Sequence, residues 1–306
     1  MIGRPESDFW SVGIVPATIG DCVEAGVLTA ARDRICWLPE PGPWRYLADP
    51  FGVQRNGVMH VFVEAFDYRS KHAVIEHHPI KMGARPAWQG CEIALAQSVH
   101  LSYPFIVEEQ NEVFMVPESH RAREVVLYRA NQFPGKWSRE TALLKDIPAA
   151  EPSLIRHEGR WWMFFTIVGK DARDQRELHL AFSDSLTGPW TLHRQNPIVE
   201  DRGGARPGGT PFVGPGNKVM LPVQDCRDTY GGRLRLLRFS VLEIDHVIVE
   251  HLPVSLGGEL VSETHQEGFH TLSQCGDSTL IDVKRISRSR RRHMVDWRRR
   301  ASRCWR

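Results

Sequence analysis

The 306-residue sequence lacks the short strings that mark the common catalytic folds. It has no Walker A sequence, no Gly-x-Ser-x-Gly, no His-Glu-x-x-His and no Gly-x-Gly-x-x-Gly, so the usual motifs of nucleotide-binding enzymes, serine hydrolases and zinc proteases are missing. No two aspartates are separated by a single residue, which removes the Asp-x-Asp with which many nucleotide-sugar transferases hold a metal. The six cysteines form no Cys-x-x-Cys pair, so neither a zinc knuckle nor a redox motif is encoded.

Long apolar runs are also missing. No stretch approaches the roughly 18 to 20 apolar residues that a membrane helix requires, and residues 1–10 lack the basic and apolar segments of a signal peptide. The expected compartment is therefore the cytoplasm.

The balance of 39 basic and 37 acidic residues conceals two regions of opposite charge. Residues 285–306 contain ten arginines and one acid, and the rest of the chain contains 29 bases and 36 acids. An acidic body is a poor candidate for a stable nucleic-acid partner. We expect residues 286–306 to be a disordered tail because so many arginines repel one another. This tail could still bind an anionic surface, either nucleic acid or lipid.

One segment recurs at intervals of about fifty residues. Its copies are ADPFGVQRNGVMHVFVEA (48–65), SYPFIVEEQNEVFMVPES (102–119), AEPSLIRHEGRWWMFFT (150–166), GGTPFVGPGNKVMLPVQD (208–225) and the weaker GFHTLSQCGDSTLIDVKR (268–285). Each of the first four copies places an apolar strand after a residue and a proline, then a polar turn and a second alternating strand. Further alternating strands lie between the copies at 72–80, 124–130, 177–183 and 233–242.

Four short strands per repeat predict an all-β, five-bladed β-propeller over residues 1–285. The strand WSVGIV (10–15) precedes the first copy by a long connection, so we expect it to pair with the last blade and close the ring. The alternative is a β-sandwich with chance similarity between segments.

In a propeller the innermost strands line the axis, so equivalent repeat positions converge there. The residue before each proline forms a predicted ring of Asp49, Tyr103, Glu151 and Thr210, with His270 as fifth member. A second predicted ring contains Glu64, Glu118, Thr166 and Gln224. These positions are polar and differ between copies, a pattern typical of a binding site on a fixed frame.

Asp49 and Glu151 would face each other from blades one and three. Two carboxyl groups across one cavity are the minimum for glycoside hydrolysis, one as acid and one as base or nucleophile. The alternative is that each carboxylate only accepts backbone hydrogen bonds where its strand begins.

The other polar candidates are expected to bind substrate. Guanidinium and amide groups suit sugar hydroxyls, carboxylates or phosphates. The substrate-binding candidates are Tyr103, Glu118, Arg206, Gln224, Asp225 and His270. Arg206, Gln224 and Asp225 could instead serve a structural network between blades, Glu118 could be a solvated turn residue, and His270 could be a satisfied structural residue.

Asp49 in LADPFGV, Glu151 in AEPSLIRHEGRWWMFFT and the segment SDSLTGPWTLHRQNPIV (183–199) resemble the five-bladed propellers of glycoside hydrolase family 43. The resemblance implies Asp49 as general base and Glu151 as general acid. Two departures are that Tyr103 stands where the family has a second-blade Asp, and that Glu151 immediately precedes its proline. Relatives can hold a calcium in the channel, but no dense carboxylate cluster here requires one, so no cofactor or metal is expected.

A second resemblance covers residues 10–285. WRYLADPF (44–51), LSYPFIVEEQNEVFMVPES (101–119), ARPGGTPF (205–212), PVQDCRDTYGGRLRL (222–236) and GFHTLSQCGDSTLIDVKR (268–285) are similar to the propeller at the N-terminus of plant glucosamine inositolphosphorylceramide transferases. In those proteins transfer is expected from a separate glycosyltransferase domain.

Two hypotheses follow for function. The first is a carbohydrate-active protein that hydrolyses or transfers a glycosidic linkage at the axis. The second is a non-catalytic propeller that binds a glycan or glycoconjugate and serves a separate glycosyltransferase.

Overall fold

The repeats fold as five antiparallel sheets in a computed structural model that describes residues 5–83, 86–169 and 176–303. The chain opens with strand β1 (Glu6–Val15), helices α1 (Ile19–Cys22) and α2 (Val27–Ala31), and strand β2 (Cys36–Trp37). Blade one contains β3 (Arg45–Arg55), β4 (Val58–Asp67), β5 (His72–Lys81), β6 (Ala87–Trp88) and β7 (Glu92–Leu95). Blade two contains β8 (Ser102–Glu109), β9 (Glu112–Glu118), β10 (Glu124–Gln132) and β11 (Lys136–Lys145).

Blade three contains β12 (Ala149–His157), β13 (Arg160–Ile167), β14 (Glu177–Ser183), β15 (Thr191–Leu192) and β16 (Val199–Glu200). Blade four contains β17 (Arg206–Pro207), β18 (Phe212–Gly214), β19 (Lys218–Asp225), β20 (Arg233–Leu242) and β21 (Val247–Leu256). Blade five contains β22 (Gly268–Cys275) and β23 (Ser278–Arg288), joined by β1 and β2, and helix α3 (Arg291–Arg303) follows. The predicted five-bladed propeller is confirmed.

Strand β1 closes the ring. It pairs antiparallel with β23 from Glu6 opposite Arg288 to Val15 opposite Thr279, as the sequence predicts. Closure satisfies the backbone edges that an open sheet would expose. The hydrophobic core lies between neighbouring blades; between blades three and four, for example, Phe164 packs with Leu221 and Phe239.

The innermost strands of blades one, two and three bulge at the residue before the repeated proline. Asp49, Tyr103 and Glu151 have φ values of 50°, 47° and 53°, in the left-handed region that non-glycine residues seldom adopt. Blade five bulges at the equivalent place, at His270 and Thr271. Because a bulge redirects the side chains beside it, these residues converge at the axis.

Blade four departs from this pattern. Arg206 lies opposite Gln224, and the chain then crosses to blade five, where a Cβ on Gly209 would lie 1.9 Å from the backbone oxygen of Leu272. Only glycine permits this approach. Thr210 consequently donates its N–H to Leu272 at 3.0 Å instead of occupying the predicted ring position.

Helix α3 differs from the predicted disordered tail. The guanidinium of Arg292 lies 4.0 Å from the ring centroid of Tyr68 and donates to the hydroxyl of Ser7 at 2.7 Å. Asp296, one turn later, accepts from Arg292 at 3.2 Å. These contacts offset the arginine repulsion on which the prediction rested. The last three residues of the predicted tail lie outside the described part of the chain.

Tyr103 crosses the axis from blade two to blade four. Its fully buried hydroxyl accepts from the N–H of Gly209 at 2.6 Å, lies 3.1 Å from the carbonyl oxygen of the same residue, and lies 2.8 Å from the hydroxyl of Ser153. All of its hydrogen-bonding capacity is therefore used within the protein. This favours a structural role for Tyr103 over the predicted substrate contact.

Replacing Tyr103 by Phe should lower the free energy of unfolding by about 1–3 kcal/mol, because the buried N–H of Gly209 loses its acceptor. The measurement is chemical denaturation at neutral pH. Tyr128→Phe, at a second buried tyrosine that lies away from the axis, is the matched control and should cost less. Equal losses of unfolding free energy in Tyr103→Phe and Tyr128→Phe would contradict the role of Tyr103 as a link across the axis.

Candidate functional site

Asp49 lies at the axis with 2% of its surface exposed. One carboxylate oxygen accepts from the hydroxyl of Thr271 at 3.2 Å and the other from the N–H of Tyr103 at 3.2 Å. Nε2 of His270 lies 3.5 Å from Asp49 Oδ1. Burial raises the pKa of Asp49 to about 7, against the opposing charge of His270. Partners from two neighbouring blades thus fix this carboxyl group.

Asp282 holds both Asp49 and His270 in place. It accepts the backbone N–H groups of Asp49 at 2.8 Å and Thr271 at 2.9 Å, and Nδ1 of His270 lies 2.7 Å away. Because a carboxylate only accepts, Nδ1 carries a proton. Burial disfavours charge on His270, but Asp282 and Asp49 outweigh it and raise the pKa of His270 to about 9. A charged imidazolium therefore faces Asp49.

Glu151 forms the second centre, with 1% of its surface exposed. Its Oε1 accepts from Nε of Arg206 at 2.8 Å and from Nη2 of the same guanidinium, and its Oε2 accepts from the amide of Gln224. The hydroxyl of Tyr230 lies 3.5 Å from Oε1. Burial raises the pKa of Glu151 to about 8, with Arg206 opposing the rise and the Asp49 carboxylate adding to it.

Glu118 connects blade two to this centre. One oxygen accepts the N–H of Glu151 at 3.0 Å and lies 3.8 Å from Arg206, and the other lies 2.7 Å from Nδ1 of His120. Burial alone would raise the pKa of Glu118, but His120 and Arg206 outweigh it and hold that pKa below its usual range. Two adjacent carboxyl groups therefore differ in protonation, an arrangement that separates acid from base. Among the described residues, Nη1 of Arg206 has no hydrogen-bond partner.

Two aromatic rings contact His270, and the exposed one marks the mouth of the site. Trp10 stacks on His270 with centroids 3.7 Å apart, and Tyr230 meets the imidazole edge-on at 5.6 Å. Tyr230 is 40% exposed, so its ring faces solvent above the buried carboxyl groups. An exposed ring with nearby hydrogen-bonding groups, as Tyr230 provides, is suitable for packing against a sugar face.

The structure brings most predicted residues together but separates Asp225. Asp49, Glu118, Glu151, Arg206, Gln224 and His270 share one network. Asp225 faces away from Gln224 and pairs with Arg227 at 2.6 Å and Arg235 at 2.9 Å. A structural ion-pair role for Asp225 is therefore favoured over the predicted substrate contact.

Sequence reasoning missed Asp282, Thr271 and Trp10. Asp282 interrupts the apolar run of STLIDV, and a charged residue inside a buried strand was the available signal. Thr271 and Trp10 carry no comparable signal because their roles depend on contacts between distant segments.

Two described clusters group possible metal ligands within 4.8 Å: Asp49 with His270 and Asp282, and Glu76 with His78 and Cys91. The axial cluster does not fit calcium, which prefers six to eight oxygen ligands, because it offers an imidazole and Asp282 is already occupied by backbone N–H groups. In the outer cluster His78 accepts from the indole of Trp88 at 3.1 Å and so donates towards Glu76. That tautomer leaves no free nitrogen for a metal.

The five-bladed propeller fold is shared with solved glycoside hydrolases. The α-L-arabinofuranosidase of Podospora anserina, solved with cellotriose, is similar with a TM-score of 0.57 and 11% identity, covering 78% of this chain and 81% of that one. A family 117 glycoside hydrolase of Zobellia galactanivorans matches with a TM-score of 0.52 and 15% identity, covering 69% and 70%. At these identities the likeness concerns the fold.

The chain belongs to the family described as glucosamine inositolphosphorylceramide transferase 1, N-terminal, whose model matches residues 26–273. The transferase of that name from Oryza sativa subsp. indica is 35% identical over 230 residues, covering 73% of this chain and 30% of that protein. Its counterpart in Arabidopsis thaliana is 30% identical over 270 residues, covering 81% and 34%. The chain thus spans about a third of these relatives.

Glu151→Gln should reduce the pH dependence of stability. Because the pKa of Glu151 is raised, the folded protein retains a proton that the unfolded chain releases above about pH 4.5. The contribution of the protonated group to the free energy of unfolding is therefore complete below that pH and is lost as the pH rises to about 8. The wild-type melting temperature should therefore fall relative to the variant between pH 5 and 8. Glu158→Gln, at an exposed position just after the same strand, is the control. Parallel curves for wild type and Glu151→Gln would contradict the assignment.

Proposed function

We propose that this chain is a carbohydrate-active propeller that acts on a glycosidic linkage at its axial site, with Asp49 as general base and Glu151 as general acid. The observation that carries the proposal is the pair of buried carboxyl groups from blades one and three, each held by its own network. The pKa values of both are raised towards neutrality, to about 7 and about 8, as expected of catalytic acids and bases.

Glu151 suits the acid role because its pKa of about 8 keeps the carboxyl protonated at neutral pH. It would donate that proton to the oxygen of the leaving group as the glycosidic bond breaks. Arg206 and Glu118 orient it, and the hydroxyl of Tyr230 links it to the mouth. Glu118 thereby supplies the second-blade carboxylate that Tyr103 does not.

Asp49 suits the base role because the imidazolium of His270 stabilises its ionised form. It would remove a proton from the water that attacks the anomeric carbon. If a sugar or inositol hydroxyl takes the place of that water, the same proton transfers yield glycosyl transfer. Arg206, Gln224 and His270 would contact hydroxyl or phosphate groups of the substrate.

A non-catalytic role in glycan binding is the second candidate. The observation that favours it is that Arg206 and Gln224 together occupy both oxygens of Glu151. The plant relatives extend far beyond the matched region, so the transferase activity in their names can belong to the remainder. The propeller would then bind a glycan or glycoconjugate for a separate glycosyltransferase.

Asp49→Asn and Glu151→Gln should each lower turnover by about 10²–10⁴-fold, the usual contribution of general acid–base catalysis, with glycan binding largely retained. The measurement is product release from a glycan and glycolipid library, with binding followed by calorimetry. Asp225→Asn, at a carboxylate whose ion pairs lie outside the network, is the matched control and should remain active. Binding without turnover in the wild type would favour the second candidate.

The pH profile of turnover should be bell-shaped. Activity should rise as Asp49 ionises near pH 7 and fall as Glu151 loses its proton near pH 8. Arg206→Lys should preserve the charge but lose the two-nitrogen contact with Glu151, and the alkaline limb of the profile should shift. An identical profile in Arg206→Lys would argue against Glu151 as the acid.

A further inference from the structure

Helix α3 buries polar side chains and exposes apolar ones, the reverse of an ordinary surface helix. Its polar side chains Arg292 and Asp296 face the propeller, where Arg292 is only 7% exposed. Met294 and Trp297, one turn apart, point outward with 55% and 70% of their surfaces exposed. A surface helix normally buries its apolar stripe in the core. The stripe formed by Met294 and Trp297 instead faces outward, and no residue of the described chain covers it.

Positive charge borders the stripe on both sides. At 100° per residue, Arg291 and Arg298 lie on one side of Met294 and Trp297, and Arg300 lies on the other; all three are exposed. Asp296 is the only acid between residues 285 and 306, and it is engaged by Arg292 and by another helix arginine. The outer face of α3 therefore combines apolar and cationic groups without an exposed carboxylate.

We propose that helix α3 docks this protein on an anionic membrane surface. A helix lying in the membrane interface presents Trp and other apolar side chains to the acyl boundary and arginines to the headgroups. Each arginine near an anionic leaflet adds to the attraction. Charge alone would serve a nucleic acid equally well, and the exposed Met294 and Trp297 at the centre of the face are what favour lipid.

The docking face lies at the same end of the propeller as the site mouth. Arg292 rests on Tyr68, whose ring meets that of Tyr46 at 5.9 Å, and Tyr46 lies near the start of β3, the strand that carries Asp49. Between α3 and the mouth lies a cleft of about 540 Å³ lined by residues that include Trp10, Trp44, Arg285 and Arg291. Docking would turn the mouth towards the lipid. Presentation of a lipid-anchored glycoconjugate to the site rests on the proposed function, but membrane binding does not.

The test is flotation of the full chain with vesicles of phosphatidylcholine alone and with about 30 mol% phosphatidylglycerol. The wild type should bind only the anionic vesicles, and less at about 0.5 M salt, where charges are screened. Met294→Ser with Trp297→Ser should weaken binding by about tenfold or more. Trp88→Ser with Ile93→Ser removes two exposed apolar side chains from blade one and is the matched control.

Circular dichroism of both double variants establishes that they are folded. No binding by wild type, or equal binding by wild type and the α3 variant, would overturn the proposal. Preferential binding of RNA that tolerates the α3 substitutions would also overturn it, as would a dimer in light scattering that these substitutions dissociate. Glycan turnover is not used as a readout, so failure here is distinguishable from failure of the proposed function.

Discussion

The structure depends on a constraint at its axis: a carboxyl group removed from water must find hydrogen-bond or charge partners. Asp49 obtains them from blades two and five, and Glu151 obtains them from blade four. All of these partners lie on neighbouring blades, and the contact of Asp49 with Thr271 joins the first blade to the last, where β1 and β23 close the ring. The site and the tertiary fold are therefore formed by the same contacts, and disturbance of either reaches the other.

Much of the fold follows from the sequence because a propeller repeats one local pattern. The predicted strands at 177–183 and 233–242 coincide with β14 and β20, since alternation and flanking turns set them locally. The prolines also located the bulges that carry Asp49 and Glu151 to the axis. The repeat thus predicted which positions converge, and most of the network was named from it.

The remaining features depend on contacts that no local pattern records. Tyr103 has an axial position in the repeat, but its hydroxyl is satisfied by Gly209, more than a hundred residues away. Asp225 follows Gln224 in sequence, and strand alternation sends it to the opposite face. Helix α3 was unexpected because arginine repulsion was weighed without the contacts of Arg292 with Tyr68 and Ser7.

The crossing of Tyr103 bears on how a ligand can reach the axial site. Its hydroxyl is bonded to Ser153 and Gly209 and its side chain is fully buried, so Tyr103 fills the centre of the propeller at this level. Tyr230, which is 40% exposed and whose hydroxyl lies 3.5 Å from Glu151 Oε1, marks the side from which a ligand would approach that carboxyl group. If a glycan binds there, a filled centre would accept the end of a chain more readily than its middle, since an internal unit would need a second way out.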